Sequence, residues 1–182
     1  MPFSVPAHLS QFNIPLAEFS ASKPGFTDFF AGGHVFSQGQ SGEYRVLLLQ
    51  RAPTDSLPHF WEGPGGGVDP QDASILAGAA REVFEESGLR VARFVDLIAV
   101  NEWTRLKPDK LHVVGKFNFL VEVEGQATGE PMQVKLEETE HQAFAWATEE
   151  EVREGVEERG KYRFVSAEGQ HILKAFGMVK RT

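Results

Sequence analysis

Glu82, Glu85 and Glu86 stand at positions i, i+3 and i+4 of the chain. At about 100° per residue this spacing places all three carboxylates on one narrow face of a helix. Like charges that close repel, and the repulsion destabilises a bare helix. A hard divalent cation such as Mg²⁺ or Mn²⁺ relieves it, because these ions favour carboxylate oxygens. Gly78 falls on the same face one turn earlier, so no side chain there blocks the approach to the glutamates. The run Gly65-Gly66-Gly67 ahead of the helix leaves backbone carbonyls and amides open to an ion or a phosphate. A row of acids on a helix is most often plain solvated surface. The glycine-rich entry, Arg81 and Gly88 set this one apart.

The segment Gly66–Leu89 resembles the Nudix box, the signature of the Nudix hydrolases. Its second half, Arg81-Glu82-Val83-Phe84-Glu85-Glu86-Ser87-Gly88-Leu89, matches that pattern in full. The first half departs from it. Counting without a gap puts Gly67 at the start and Ala73 where the pattern has Glu. One inserted residue puts Gly66 at the start and Asp72 in the Glu position. The second register is preferred, since it keeps an acid there and aligns Gly65-Gly66 with the family's Gly-Gly. Flanking features agree over Phe29–Val156: a strand ending in Gln50-Arg51, the lead-in Trp61-Glu62-Gly63-Pro64-Gly65-Gly66, and the run from Glu140 to Trp146.

The resemblance implies an α/β fold, a Nudix-like α/β/α sandwich with a mixed central sheet. It also implies hydrolysis of an acid anhydride, a diphosphate linked to another group, with Mg²⁺ or Mn²⁺ as cofactor. The metal would be held by Glu82, Glu85, Glu86 and the carbonyl of Gly65. Glu85 and Glu86 would be the main catalytic ligands, and Arg81 would orient the glutamates through ion pairs. A later loop would supply a general base or extra ligand, with Glu140 ranked ahead of Glu137 and Glu138. Arg51, Trp61 and Trp103 are the candidates for substrate binding. Arg51 could instead pair with an acid, and Trp61, Trp103 and Phe119 could serve the core. His141 could contact substrate or be structural. The substrate is a nucleoside diphosphate linked to another moiety, or an isoprenoid or lipid-like diphosphate. A ligand-binding module without turnover is a further reading, although such modules usually lose box glutamates and this chain keeps all three.

The rest of the chain must position these groups. Acidic residues outnumber basic ones by 26 to 18, for a net charge of −8. That argues against nucleic acid as a partner, whose phosphates demand a basic footprint. Cysteine is absent, which removes thiol catalysis and Cys-ligated zinc and suits a cytoplasmic protein. No apolar run approaches the roughly 18 residues of a membrane span, and the N-terminus lacks the pattern of a secretory signal, so no membrane partner is expected.

Strands are predicted at Gly33–Ser37, Tyr44–Gln50, Leu89–Trp103, Leu111–Val123 and Phe144–Trp146. The segment Phe60–Pro70 reads as a loop or strand edge, and Gly125–Lys135 as a loop. Ser74–Gly88 is the best helix, with Leu76, Ala79, Ala80, Val83 and Phe84 on its core face. Thr148 and Glu151 form a capping box for a helix ended by Gly160, and a last helix runs from Ala167 to Phe176 with Gly177 as its stop. Residues 1–24 hold four prolines and read as an extended arm with one short turn, ahead of a Nudix hydrolase domain at 25–182. The arm's apolar residues must pack on its own domain or on a second subunit, so a homodimer stays open.

Overall fold

The computed structural model describes residues 3–108, 110–126 and 132–181. Part of the loop expected at Gly125–Lys135 lies outside them. A seven-stranded mixed sheet forms the centre. Its strands are β1 (Asp28–Gln38), β2 (Tyr44–Arg51), β3 (Trp61–Glu62), β4 (Gly65–Gly67), β5 (Val91–Leu106), β6 (Leu111–Val123) and β7 (His141–Thr148). The order is β3-β2-β1-β6-β5, with β4 added on β1 and β7 on β2. β1 is the pivot. Over its first part it runs parallel to β6 and antiparallel to β4, and its last residues pair with β2. The stretch Phe60–Pro70 thus contributes two short strands, and the strand expected at Phe144–Trp146 extends to both sides.

Alternation along these strands sends side chains to opposite faces. Ala31, Val35, Phe117, Phe119 and Val121 face a core shared with the helix α2 (Ile75–Ser87). Phe36, Ile98 and Leu120 face a second core shared with α4 (Glu168–Val179), beside which α3 (Glu149–Val156) packs. Helices on both sides of a mixed sheet make the expected α/β/α sandwich. Among the described residues no helix is long and apolar enough to cross a membrane.

The helix ends follow the sequence in part. The side chain of Ser74 accepts from the Ala77 N–H at the start of α2, and Gly88 closes it in the left-handed region at φ 71°. The capping box of Thr148 and Glu151 is formed, but α3 stops at Val156 instead of running to Gly160. The N–H groups of Arg159 and Gly160 fold back onto the Glu154 carbonyl and close that turn. In α4 the helix passes through Gly177, because Met178 and Val179 still pack on the second core and outweigh the weak helix propensity of glycine. Phe84, expected on the core face, is half-buried beneath the Arg90 guanidinium, 4.1 Å from the ring centre.

The N-terminal segment corrects a second expectation. Residues 3–24 are not simply extended: a 3-10 helix spans Ala7–Phe12 and α1 spans Leu16–Ser22. Pro6 and Pro15 sit at the two N-cap positions, where a missing N–H removes no helical hydrogen bond. Ser4 bridges to β5 through the Ala92 carbonyl and the Phe94 N–H. Leu9, Phe12 and Phe19 are buried in the first core, where Phe12 touches the rings of Phe19, Phe117 and Phe119. The arm therefore buries its apolar side chains in its own chain.

Phe19→Ala should lower unfolding stability by about 3–5 kcal/mol, as loss of a fully buried ring does. Urea melts of the two proteins measure it. A change within about 0.5 kcal/mol would show that the arm lies outside the cooperative core.

Candidate active site

The strand β4 and the helix α2 build the site between them. β4 lies antiparallel to Phe30–Gly32 of β1 and passes directly over the start of the acidic face. A Cβ on Gly66 would stand 2.6 Å from Oε2 of Glu82, so only glycine lets the strand and the carboxylate share this space. Gly78 has another use than the open approach expected for it. A Cβ there would lie 3.0 Å from Oδ2 of Asp72 and 3.2 Å from the Val68 side chain. It lets the loop after β4 close against the helix.

Arg81 ties these parts together. Its Nε and Nη2 bond the two carboxylate oxygens of Asp72 at 3.1 and 2.9 Å. Nη2 also donates to the Gly67 carbonyl at 2.8 Å, and Nη1 donates to Glu82 and Glu85, both at 2.8 Å. The bidentate pair gives Asp72 a role the ungapped register would assign to Ala73. Asp72 also accepts the Asp69 N–H at 2.8 Å, which fixes the turn holding the inserted residue.

The three helix glutamates differ in surroundings. Glu82 and Glu86 are buried, whereas the Glu85 side chain is 52% exposed. Glu86 accepts the Gly65 N–H at 2.7 Å. Burial pushes its carboxyl well above the usual carboxylate range against the pull of that N–H, and the charges of Glu62 and Glu82 add to the rise. Burial also raises Glu82, although Arg81 pulls the other way. These groups line a cavity of about 340 Å³, together with Arg51, Asp55, Glu62, Glu140 and His141.

The donor set suits a hard cation: clustered carboxylates whose charged forms are costly without a counter-ion. Among the described residues no three His, Asp or Glu side chains converge as a formed metal site. Arg81 holds Glu82 and Glu85 on the guanidinium instead.

The other candidates separate. Glu140 lines the cavity and is exposed. Glu137 instead caps its own turn, accepting from the Thr139 N–H and hydroxyl. His141 is buried with Nε2 3.9 Å from Glu62. Arg51 reaches the cavity but is engaged by Asp55 at 2.5 Å and Glu62 at 2.6 Å. Trp61 is not brought to the cavity; its ring packs edge-on against Tyr162, 5.0 Å between centres. Phe119 is core. Trp103 lines a neighbouring cavity of about 500 Å³ that shares Phe30, Arg51, Glu62 and Gly65 with the first.

Glu62 is the acid that sequence reasoning passed over. Burial works against its charge, but the neighbouring His141 and the charges of Lys116 and Arg51 outweigh that and hold it below the usual range. Its signal was its place in the lead-in to the glycine run, one residue after Trp61.

A family model described as NUDIX domain matches residues 30–167. The m7GpppN-mRNA hydrolase NUDT17 of Bos taurus is 32% identical over 115 residues, covering 59% of this chain and 38% of that protein. Its Homo sapiens counterpart is 45% identical over 53 residues, 29% of this chain and 16% of that one. The chain thus spans less than half the length of these relatives. Among solved structures, a C. elegans Ap4A hydrolase superposes with a TM-score of 0.57 at 21% identity, over 86% of this chain and 100% of that one. The NUDIX domain of Shewanella oneidensis NrtR, solved with ADP ribose, gives 0.62 at 15% identity, over 90% and 97%. At such identities the likeness speaks for the fold.

The Arg51–Asp55 pair sets a pH dependence. Burial opposes the charge of Asp55, but the Arg51 hydrogen bonds and the Leu57 N–H hold its carboxyl down at about 2, against 3.8 unperturbed. A lowered pKa gives stability that is present above about pH 4 and is lost as pH falls toward 2. Asp55→Asn should therefore be less stable than wild type at pH 7, and the two should converge near pH 2. Denaturant melts across that range check it, and a gap that stays constant with pH would refute it.

Proposed function

The chain belongs to the NUDIX family, and on that premise we propose that it is a metal-dependent hydrolase of a diphosphate linked to another group. The observation that carries this reading is the cavity where Glu62, Glu82, Glu85, Glu86 and Glu140 gather. Its buried carboxyls, Glu82 and Glu86, are shifted toward neutrality by their surroundings. A surface acidic patch is solvated and has no such tension, which a bound cation would relieve here.

Glu82, Glu85 and Glu86, with the Gly65 carbonyl, would hold Mg²⁺ or Mn²⁺. A cation bound there supplies charge to offset the phosphates and acidifies a water for attack on phosphorus. The chain's own groups do the positioning. Arg81 keeps Glu82 and Glu85 on one side of the cavity and anchors them to Asp72 and Gly67. The Gly65 N–H points Glu86 inward. Glu140, exposed along the cavity, would take a proton from the attacking water as general base. Arg51 is better read as fixing Glu62 than as a free phosphate ligand, because both of its acid partners would have to let go. In-line phosphoryl chemistry needs this positioning and charge balance more than covalent help.

The preferred substrate is a nucleoside diphosphate joined to another moiety. NUDT17 is named for m7GpppN-mRNA, and the NrtR domain was solved with ADP ribose. For this chain the net charge of −8 favours a small molecule over a nucleic-acid partner. The lack of cysteine suits a reducing compartment such as the cytoplasm.

The test pairs wild type with Glu86→Gln in a phosphate-release screen of diphosphate compounds with Mg²⁺ or Mn²⁺. Wild type should turn over, EDTA should abolish it, and the variant should lose orders of magnitude of rate. Without metal the variant should be at least as stable as wild type in thermal melts, because it removes a disfavoured buried charge. Equal turnover of the two proteins would remove Glu86 from the site. A wild type that binds metal and diphosphates yet releases no phosphate would make the chain a binding module.

A further inference from the structure

Gly65 lines both cavities, and the connector that delivers it, Gly63-Pro64-Gly65, is tied at each of its residues. The Gly33 N–H of β1 donates to the Pro64 carbonyl at 3.0 Å. The Gly65 N–H donates to Glu86 of α2 at 2.7 Å, and the Gly63 N–H donates to Oε1 of Glu168 at 3.3 Å. Glu168 is the first residue of α4, which packs on the second core, whereas α2 packs on the first. The connector is thus strung between two carboxylates that come from helices on opposite faces of the sheet.

Glu168 is buried, with 8% of its surface exposed. A buried carboxylate is costly unless its oxygens are bonded or its charge is balanced. The Gly63 N–H and the charge of Lys116 do this, and Lys116 is balanced in turn by Glu62 and Glu86. His34 of β1 is buried against the same group, its Nε2 3.6 Å from Oε1 of Glu168. A Cβ on Gly63 would stand 2.5 Å from Nδ1 of that ring. The connector therefore has His34 against it while Glu168 holds its N–H. The chain ahead of α4 is tied to the same lead-in, because the Trp61 N–H donates to the Arg163 carbonyl at 2.8 Å and Trp61 bridges to Phe164. Glu168 stands one residue beyond the stretch 30–167 that the family model matches.

We propose that Glu168 is a positioning residue for the carboxylate cavity: through Gly63 it sets where the Gly65 N–H meets Glu86, and so how tightly the cavity takes a divalent cation. Hydrogen bonds that orient a ligand from outside govern metal affinity by about 10- to 100-fold. The role belongs to an oxygen held in one place rather than to a negative charge. It rests on the reading that Glu82, Glu85 and Glu86 hold a metal.

Three variants of the full chain separate the causes. Glu168→Gln keeps an oxygen for the Gly63 N–H and removes the charge. Glu168→Asp keeps the charge and withdraws the oxygen by one methylene. Glu168→Leu removes both and keeps the bulk. Mn²⁺ titration, followed by the electron paramagnetic resonance signal of the free ion, measures affinity. Amide hydrogen exchange without metal, followed by NMR, measures how firmly Gly63 and Gly65 are held. Glu168→Gln should stay near wild type in both. Glu168→Asp and Glu168→Leu should bind Mn²⁺ about 10-fold more weakly and exchange the two glycine amides faster, while the amides of β6 stay protected. The reverse order, with Asp near wild type and Gln weakened, overturns the inference in favour of charge alone. An unchanged Mn²⁺ affinity in Glu168→Asp and Glu168→Leu also overturns it, and so does faster exchange throughout the sheet, which would make Glu168 a residue of the fold. In these cases the metal reading stands. A wild type that takes up no Mn²⁺ removes that reading, and the positioning role with it.

Discussion

The Arg81 guanidinium is the interaction on which the site depends. It sits between the β4 loop and the helix and bonds Asp72, the Gly67 carbonyl, Glu82 and Glu85. A planar fork with five N–H donors can satisfy that many oxygens at fixed angles, which a lysine ammonium cannot. Asp72 is its strongest single partner, and the surrounding acids hold the group firmly charged. Take the guanidinium away and three carboxylates face one another across a loop with nothing to define its path. The acid cluster is therefore tolerable in the folded chain because one cation is built into it, and that cation also sets the register of the glycine run.

That register explains how the sequence was legible and where it was not. The spacing of Glu82, Glu85 and Glu86 was enough to place them on one helix, because a 3.6-residue period leaves no other arrangement. It could not say that Glu85 would be exposed while Glu82 and Glu86 were buried. That depends on β4 lying over one side of α2, a long-range contact with no local signature. Asp72 was found because an acid was missing from its place in the box. Glu62 was passed over because its importance comes from the pairing of β2 with β3, which brings it beside Arg51. Trp61, for which substrate binding and core were both open, is placed by the same pairing. Its strand neighbour Glu62 faces the cavity, and alternation turns Trp61 to the other side, onto Tyr162.

The helices show where local rules yielded to packing. Gly88 stopped α2, since the αL turn there is followed directly by Leu89 entering the core. Gly177 did not stop α4, because apolar residues beyond it still had a surface to cover. The prolines of the first 24 residues reduced helix formation to short pieces without preventing it, because two of them fell at helix starts. The aromatic side chains of that segment then had a sheet face waiting for them.

The two faces of the sheet carry different loads, and this accounts for the placement of the chemistry. The face under α2 and the N-terminal segment is a dense aromatic core, in which Phe19 and Phe117 touch each other and both touch Phe12 and Phe29. The opposite face is covered by α4, by Val152 of α3 and by Tyr162 and Phe164, while Phe30, Lys116, Asn101 and Trp103 line the cavity of about 500 Å³. β1 belongs to both faces: Phe29 and Ala31 point into the core, and Phe30 between them points to the cavity. A strand clamped from one side by an aromatic core can present a ring, and the adjoining β4 backbone, at a fixed position on the other. The acids of α2 gain the same rigidity from Leu76, Ala79 and Val83 beneath them. Buried carboxyls that resist their own ionisation are costly, and a scaffold fixed on its far side can bear that cost without rearranging to relieve it.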